Sequence, residues 1–491
     1  MNIMMKNILF AFCIIIALIA TSCKKDKADS ATISELDISI NQFIWDIMST
    51  NYLWADNVPA LNSSNYSSTI DIEEKLLKKY SDHKKFFDTL LYYKGSVDKY
   101  SFIIDDYEKF EASRQGYAKS MGFYYNLYLF NNYKNDDRLF GLVMYVVKGG
   151  PADKAGIKRG DFFFIIDDTQ LTINNYQNLL SKESYKISLA YYHAYNKEIT
   201  VTGTSCNLTA EALQENPIFL DTIYSINSRK IGYLIYNYFD PNFDSRLNAI
   251  FAKFKQEKIS DLILDLRYNG GGAYSSAINL ASMIYSTDNT KVFVKNEYNQ
   301  KLQQKLLEKY GEGFFKACFT SKIIKGDAIT EENINSLGLS KIYIITTQST
   351  ASTSEMLINN LMPYIKVYTF GNKTFGYGVG LMYFKDYDQL NRLNTRHKYA
   401  MQIVVLKTLN VNGNGFNTVG IEPYIAVDEN YTSLLPLGDR NETLLNEVIS
   451  NIFSSKSAKL NNPTIFDFYA DKNDLIPHKK EIFMNTISFK K

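Results

Sequence analysis

The stretch from about residue 225 to residue 450 alternates between β-type and α-type patterning, and this alternation constrains the fold more than any other feature. The run SDLILDLRYN is typical of a buried strand, because its apolar residues are almost unbroken. The segment before it is typical of an amphipathic helix, with one apolar face formed by Leu247, Ile250, Phe251 and Phe254. Apart from a less regular insert near 290–340, the pattern predicts a layered α/β domain.

The first of two unusual strand-to-helix connections is DLRYNGGG at 265–272. Glycines allow the backbone to approach a ligand closely, and N–H groups beside a helix N-terminus favour negative charge. These properties suit an oxyanion hole, which stabilises the charge that develops on a carbonyl oxygen. A glycine-rich turn that merely connects two elements is the alternative.

The second connection is TQSTASTSE at 347–355, again between a strand and a helix. Ser352 and Glu355 fit a capping box, with the serine as N-cap and the glutamate at the third helical position. Five hydroxyl residues in the first seven positions exceed what one cap needs. A serine at a strand-to-helix turn is also where acyl-transfer enzymes expose a nucleophile.

Two further regions precede the α/β segment. Residues 36–111 carry helical patterning and predict a small helical N-terminal domain. Residues 112–205 contain short β-rich runs, and GGPADKAGIKRGD at 149–161 resembles the signature of the PDZ domain. The resemblance implies that Gly122 and Phe123 lie in a peptide-binding loop, beside which a peptide C-terminus adds as a strand. A PDZ-like domain used only as a lid or spacer is the alternative.

In this order and after a PDZ-like region, the two connections resemble the tail-specific or C-terminal processing serine peptidases, which carry a DLRxNxGG strand end and a later SASASE turn. GNKTFG at 371–376, GIEP at 420–423 and LGD at 437–439 resemble further motifs of that family. The resemblance implies a crotonase-like core at 210–455. The expected fold is multidomain α/β: an N-terminal helical segment, a β-rich PDZ-like domain and a crotonase-like α/β layered peptidase core.

The resemblance also implies roles for individual residues. The middle serine of the SASASE motif matches Ser352, which is therefore the expected nucleophile. The backbone N–H groups of Thr353 and Gly271 are expected to form the oxyanion hole. The family's second catalytic group is a lysine, whose neutral amine acts as general base when burial lowers its pKa.

The sequence departs from the family at that lysine, because Tyr377 occupies the position. A tyrosine hydroxyl has a reference pKa near 10 and is a poor general base. Lys373 is a candidate substitute base, but in an extended strand it would lie about 13 Å from residue 377 and would need a turn that folds it back. A Ser–His pair formed through the fold is a further alternative, with four histidines available: His83, His193, His397 and His478.

The N-terminus has the pattern of an export signal. Residues 1–22 contain one lysine, an apolar run and small residues, and Cys23 follows. This resembles a bacterial lipoprotein signal peptide, in which that cysteine is lipidated and anchors the chain. It implies a tether at 23–35 and a cell-envelope protein, exported from the cytoplasm and lipid-anchored to a bacterial membrane, with the outer membrane expected. An ordinary secretory signal and an anchor helix are the alternatives.

The composition of the chain argues against several classes of function and site. The net charge of +2, from 54 basic and 52 acidic residues, argues against a nucleic-acid-binding protein. No CxxC or HExxH spacing occurs, so neither a metal nor another cofactor is expected. Cys206 and Cys318 could pair as a disulfide or stay as buried thiols. Residues 456–491 have the composition of a polar, lysine-rich C-terminal tail.

These observations lead to competing functional hypotheses. The first is a lipid-anchored serine-type peptidase that hydrolyses peptide bonds of unfolded or C-terminally presented envelope proteins. The second is a pseudopeptidase that binds the C-termini of polypeptides without cleaving them, because Tyr377 replaces the catalytic lysine. A carbohydrate- or partner-binding surface protein that uses some of the 37 tyrosines is the third.

Overall fold

The computed structural model covers most of the chain after the N-terminal segment. The signal peptide, Cys23, most of the tether and His478 lie outside the described residues. Within the described part of the chain, no helix is both long enough and apolar enough to cross a bilayer. The described residues are 33–114, 119–130, 136–193, 195, 198–213, 215–326, 328–388, 390–416, 419–453, 466–475 and 482–483.

The N-terminal residues form a domain of helices, which confirms the helical prediction. Ser34 caps the first helix: its hydroxyl accepts the N–H of Asp37 at 3.1 Å, and the Asp37 carboxylate accepts the N–H of Ser34 at 2.9 Å. The elements are α1 (Glu35–Asn51), α2 (Thr69–Lys75), α3 (His83–Thr89), β1 (Phe102–Ile104) and α4 (Tyr107–Arg114), with short 3-10 turns between them.

Residues 119–212 form a β-rich module, as the patterning predicts. A short helix begins at Pro151, and Gly156 ends it with a φ of 82°. The elements are β2 (Lys119–Ser120), β3 (Phe123–Leu129), β4 (Leu139–Val146), α5 (Pro151–Lys154), β5 (Phe162–Ile166), β6 (Thr169–Gln170), α6 (Tyr176–Leu180), β7 (Ser184–His193), β8 (Glu198–Thr209) and β9 (Glu211–Ala212). Strands β3, β4, β5, β7 and β8 are neighbours in that order.

The predicted layered α/β domain is present as a six-stranded sheet with helices on both faces. Its strands, in spatial order, are β10 (Ile218–Ile226), β11 (Arg229–Tyr236), β12 (Asp261–Asp265), β18 (Lys341–Thr346), β19 (Lys366–Gly371) and β22 (Ile425–Ala426). From β11 to β22, each strand is parallel to the next strand in the sheet. One face packs on α7 (Asp244–Gln256), α8 (Tyr274–Ile284) and α10 (Thr353–Leu361), and the other packs on α11 (Thr443–Phe453).

A second sheet lies beside the first. Its spatial order is β13 (Gly272–Ala273), β24 (Ile482–Phe483), β20 (Val379–Lys385), β21 (Ala400–Leu409), β14 (Val292–Tyr298) and β15 (Lys316–Cys318), and β1 of the helical domain also pairs with β21. The irregular insert supplies α9 (Gln300–Tyr310) and the hairpin β16 (Lys322–Lys325) and β17 (Ala328–Asn333). The N-terminal helices share one hydrophobic cluster with β20 and β21.

The C-terminal segment is more than the polar tail that its composition suggests. Residues Asp467–Asp471 form β23, which pairs antiparallel with β3 of the β-rich module, and a 3-10 turn follows at Lys472–Leu475. Phe466, Phe468 and Ala470 alternate with polar or exposed residues, which is the period of a strand. This alternation is short and is flanked by lysine-rich sequence, so composition alone hides it.

Candidate active site

Ser352 lies in a strained turn between β18 and α10. Its φ of 60° and ψ of −115° are unusual for a residue with a side chain, and the residue is fully buried. A non-glycine residue in such a sparsely populated conformation costs about 1–3 kcal/mol and persists where the surrounding structure enforces it. The strained, buried serine therefore stands at the position expected for a nucleophile.

The other hydroxyl groups of the same turn are engaged in hydrogen bonds. Four of them donate to backbone carbonyls of the glycine-rich connection, from Thr347 to Arg267, Thr350 to Leu266, Thr353 to Gly272 and Ser354 to Asn269. The hydroxyl of Ser349 donates to the Asp471 carboxylate at 2.7 Å. These hydroxyl groups thus hold the hydroxyl-rich turn against the glycine-rich connection.

The Ser352 hydroxyl is the exception in this turn. Its Oγ is buried and faces the N–H of Glu355 in the capping box, but it makes no hydrogen bond of normal geometry among the described residues. The hydrogen bond of the capping box is made by Glu355, whose carboxylate accepts the Ser352 N–H at 2.8 Å. An unengaged serine oxygen at a helix N-terminus can attack an electrophile, provided that another group removes its proton.

The glycine-rich connection folds back against Phe239. The Phe239 N–H donates to the Gly271 carbonyl and the Ala273 N–H donates to the Phe239 carbonyl, both at 2.9 Å. A Cβ on Gly272 would lie 2.3 Å from the Phe239 carbonyl oxygen, and its φ is 131°. Only glycine fits this close approach, which explains the residue type.

The expected oxyanion donors differ in their surroundings. The Gly271 N–H donates to Oδ1 of Asn269 at 2.9 Å, so an asparagine two residues earlier occupies this donor. The Asn269 side chain is held in turn by donating to the Tyr236 carbonyl at 2.8 Å. Thr353 begins α10, where backbone N–H groups point out of the helix and favour negative charge.

Tyr377 is brought to the nucleophile's turn by Glu355. One oxygen of the carboxylate accepts the N–H groups of Ser352 and Tyr377, and the other accepts the N–H of Gly376, each at 2.8 Å, together with the Thr374 hydroxyl. Burial raises the pKa of Glu355, and the four donors oppose that shift. The sequence alone predicts this glutamate only as part of a local helix cap.

The ring of Tyr377 lies in an apolar environment. It is fully buried in the cluster that joins the N-terminal helices to β20 and β21, and it packs edge-on against Tyr100 with ring centroids 3.7 Å apart. Burial and the charge of Glu355 raise the pKa of Tyr100 above its ordinary value, so this neighbour is a neutral phenol. An aromatic pair thus occupies the surroundings of the expected base.

The substitute bases considered from the sequence are engaged elsewhere. Lys373 forms an ion pair with Glu422 at 2.8 Å, and its side chain is 42% exposed. No hydrogen bond between described residues joins Lys373 to the Ser352 hydroxyl, so the structure does not support Lys373 as the base. The described histidines contact other groups: His83 contacts Asn41, His193 contacts Thr200, and His397 contacts Asp386.

A buried ion cluster lies beneath the glycine-rich connection. Arg267, which is not accessible to solvent, contacts Asp265 at 2.8 Å and both Glu429 and Glu442 at 2.9 Å. Burial would lower the pKa of this guanidinium, yet the three carboxylates raise it well above its ordinary value. Arg159 of the β-rich module joins the cluster through Glu429 at 2.8 Å. The sequence offered no sign of either distant glutamate.

The residues expected to bind a peptide lie at the start of β3. Gly122 has a φ of 75°, and its N–H donates to the Ser120 hydroxyl at 3.0 Å. The Phe123 side chain is 1% exposed and belongs to the core of the β-rich module, so only its backbone could meet a ligand. The edge of β3 is covered by β23 of the same chain.

The remaining candidate groups show no further reactive site. Cys206 and Cys318 are free thiols, which rules out the disulfide alternative in this structure, and burial raises the pKa of both. Within the described ranges, no group of three or more His, Cys, Asp or Glu side chains is placed to hold a metal ion.

Comparisons with known proteins agree with this arrangement. Residues 230–427 match the model of peptidase family S41, and residues 39–102 match its N-terminal domain. A Staphylococcus aureus protein named as a probable CtpA-like serine protease is 25% identical over 298 residues, which is 60% of this chain and 51% of the relative. A carboxyl-terminal-processing protease of Picosynechococcus is 23% identical over 237 residues, 48% of this chain and 50% of the relative.

The chain thus spans about half the length of the curated relatives that it matches. Among solved structures, a candidate S41 protease from Bacteroides fragilis has a TM-score of 0.62 at 24% identity, over 84% of this chain and 97% of that one. This likeness shows the fold. With the two family models and the arrangement of its two strand-to-helix connections, the chain belongs to peptidase family S41.

Proposed function

We propose that this protein is a serine peptidase that hydrolyses peptide bonds of polypeptides, with Ser352 as nucleophile. One observation carries the proposal: within the hydroxyl-rich turn, Ser352 combines a strained backbone with a buried oxygen that donates no hydrogen bond to any residue the structure describes. Relatives named as a serine protease and as a carboxyl-terminal-processing protease support action on polypeptides, and the second name supports action near a C-terminus.

The mechanism follows from acyl transfer. Ser352 Oγ attacks the carbonyl carbon of the scissile bond, the C–N bond breaks as the tetrahedral intermediate collapses, and the amine leaves with the proton of the serine hydroxyl. Water then hydrolyses the acyl-enzyme and regenerates the serine. The backbone N–H of Thr353 at the start of α10 stabilises the oxyanion. Gly271 contributes a second donor when the oxyanion replaces Asn269 Oδ1 as its acceptor.

The surroundings of residue 377, where the family carries its general base, favour a second candidate function. The family lysine is replaced by Tyr377, which is buried among apolar residues beside Tyr100. Lys373 is ion-paired with Glu422. A scaffold that retains the nucleophile's turn but lacks a proton acceptor would bind polypeptides without cleaving them, as a pseudopeptidase does.

The setting of the activity belongs to the same proposal. Cys23 as a lipidated N-terminus would anchor the protein to a bacterial envelope membrane, where exported polypeptides are the available substrates. The β-rich module would act as a PDZ-like domain that binds polypeptide C-termini beside Gly122 and Phe123. The turn signature at 149–161, with its short helix at Pro151, supports this assignment.

The test uses residues 24–491 incubated with casein and, separately, with a fluorophosphonate that labels nucleophilic serines. Cleavage and labelling that both disappear in Ser352→Ala, but persist in the exposed-serine control Ser433→Ala, would establish the serine peptidase. Casein that binds without being cleaved, together with a serine that is not labelled, would instead establish the pseudopeptidase.

A further inference from the structure

We propose that residues 466–475 are an intramolecular ligand of the PDZ-like groove, and that they compete there with the polypeptides presented to the protease. The groove is the space between β3 and α6 of the β-rich module. The inference rests on the proposed peptide-binding role of that groove. It adds which segment occupies the groove, which ligand sequence the groove prefers, and how the segment regulates access of substrates.

The backbone of the segment occupies the position of an added strand. Strand β23 pairs antiparallel with β3, with Asp467 opposite Leu129 and Asp471 opposite Asn126. Strand β3 begins directly after the glycine at 122, where the peptide-binding loop is expected. Antiparallel addition to such an exposed edge is how a peptide gains main-chain hydrogen bonds from a sheet. The chain therefore supplies its own strand to the edge that a substrate would use.

Two consecutive side chains of the segment contact the groove, because a β-bulge between Phe468 and Ala470 interrupts the alternation of the strand at Tyr469. The ring of Tyr469 packs edge-on against Tyr176 of α6, with the ring centroids 5.6 Å apart. Ala470 is 4% exposed and lies in the core of the β-rich module. The segment therefore lies between β3 and α6. An aromatic residue followed by a small apolar residue is the pattern that this groove accepts.

The segment also fills the end of the groove near the loop. The ammonium of Lys472 lies 3.4 Å from the Ser120 hydroxyl and 3.3 Å from the Glu215 carboxylate. The same Ser120 hydroxyl accepts the N–H of Gly122. A polypeptide C-terminus cannot enter this loop until the 3-10 turn at Lys472–Leu475 moves away.

The same segment reaches the nucleophile's turn. The buried carboxylate of Asp471 accepts the Ser349 hydroxyl at 2.7 Å, three positions before the nucleophile. Phe466 and Phe468 help to line a pocket of about 270 Å³ that Thr347 and Ser349 also line. Further along, β24 lies between β13, which begins at the third glycine of the connection, and β20. Occupancy of the groove is thus linked to access to the active site.

Strand β23 itself is only partly buried, whereas Phe466 before it is buried in the cluster that contains Tyr128 and Phe140. Of the five residues of β23, only Ala470 and Asp471 are buried, and one of these is ionisable. The aromatic ring of Tyr469 is 39% exposed. A polypeptide with an aromatic–small–acidic sequence offers the same contacts and can replace the segment.

The test measures binding in the Ser352→Ala background, where no cleavage can consume the probe. The probe is a fluorescein-labelled peptide with the sequence of residues 466–475, followed by fluorescence anisotropy. In a Leu129→Cys/Asp467→Cys variant, oxidation should lock β23 onto β3, and mass spectrometry should locate the disulfide. We expect the oxidised protein to bind the probe at least tenfold more weakly than the same protein after reduction. Asp467→Cys alone should respond to neither treatment.

A second variant tests release of the segment. Ala470→Glu places a carboxylate in the core of the β-rich module, so the segment should leave and the probe should bind at least tenfold more tightly than it binds to the parent. Asp467→Ser, at the exposed start of the same strand, is the matched control. Thermal unfolding shows whether Ala470→Glu is folded. If it is not folded, the proposal is tested by the disulfide variant alone.

Equal binding by the oxidised and reduced proteins, or no binding of the probe to any folded variant, would overturn the proposal. Failure of the proposed peptidase activity is a separate outcome, because it is read from casein cleavage by the protein that retains Ser352. A protein that exchanges its segment but does not cleave casein would retain this inference and lose the hydrolytic function.

Discussion

Ser352 and Tyr377 donate their backbone N–H groups to the same oxygen atom, Oε2 of Glu355, each at 2.8 Å. The two residues are far apart in the sequence, and this buried carboxylate holds both segments in one place. Since the other Glu355 oxygen binds Gly376 and Thr374, the glutamate fixes the whole segment that precedes β20. The geometry of the proposed nucleophile therefore depends on a buried carboxylate three positions further along the chain.

We expect Glu355→Gln to lower the free energy of unfolding by about 2–4 kcal/mol, since hydrogen bonds to a charged group are worth about 1.5–3 kcal/mol each and an amide nitrogen cannot accept the N–H groups. Chemical denaturation measures this loss. Glu447→Gln is the control, because burial alone raises the pKa of that carboxyl, and it should change stability by less than about 1 kcal/mol. Equal effects of the two variants would contradict the positioning role.

The sequence predicted the nucleophile's turn well because its determinants are local. A strand, a run of hydroxyl residues and a capping pair are all visible within ten residues, and Ser352 lies where they predict. The long-range role of Glu355 was not predictable, because a capping box accounts fully for a glutamate at that position. Its contacts with Thr374, Gly376 and Tyr377 exist only once β19 and β20 are in place.

A lysine restored at position 377 should change activity and stability in opposite directions. We expect Tyr377→Lys to increase casein cleavage by about 10²–10⁴-fold, which is the usual contribution of a positioned general base. The rate of cleavage by Tyr377→Lys should rise with pH as the added lysine loses its proton, at a pKa that burial lowers. The unfolding temperature should fall, because the amine replaces a ring in an apolar cluster.

Two controls separate base chemistry from a general change in the site. Tyr377→Met removes the phenol without supplying an amine, so it should show no gain. The double variant Ser352→Ala/Tyr377→Lys should be inactive. A gain that survives the loss of Ser352 would show that the added lysine does not act through this serine.

The approach of the glycine-rich connection to Phe239 predicts an unusual glycine requirement. Gly272→Ala would place its Cβ 2.3 Å from the Phe239 carbonyl oxygen, so we expect it to cost more than about 3 kcal/mol of stability and to abolish serine labelling. Gly413→Ala shares a positive φ, 81°, but meets open space, and should cost only about 1–2 kcal/mol. Urea unfolding of both variants measures how much stability is lost through the steric clash with Phe239. Similar losses in the two variants would argue against such a clash.

Other features depended on contacts that no local pattern encodes. The sequence placed Lys373 among the candidate bases, whereas Glu422, nearly fifty positions away, binds its ammonium at the surface. The Gly271 N–H, an expected oxyanion donor, donates to the Asn269 side chain instead, although both residues belong to the same sequence motif. Composition alone predicts a polar tail over residues 456–491, although Phe466 and Phe468 alternate with other residues as in a strand. Family motifs therefore located the site, while distant side chains decide its chemical state.

Asp244, at the start of α7, should make stability depend on pH near neutrality. It accepts hydrogen bonds from Ser276 at 2.9 Å and Asn279 at 2.8 Å, but its Oδ1 has no partner among the described residues. Burial raises the pKa of this carboxyl to about 7. Because the folded-state pKa lies above the unfolded-state value, the stabilisation is complete below about pH 4 and is lost as the pH rises through 7.

We therefore expect the free energy of unfolding of the parent to fall by about 2–4 kcal/mol more than that of Asp244→Asn between about pH 5 and pH 8, because each pKa unit corresponds to about 1.4 kcal/mol. Denaturant unfolding at a series of pH values measures the two slopes. Asp56→Asn, at an exposed aspartate, should follow the parent. If Asp244→Asn also follows the parent, then this carboxyl does not titrate with folding, and its burial is offset by the hydrogen bonds from α8.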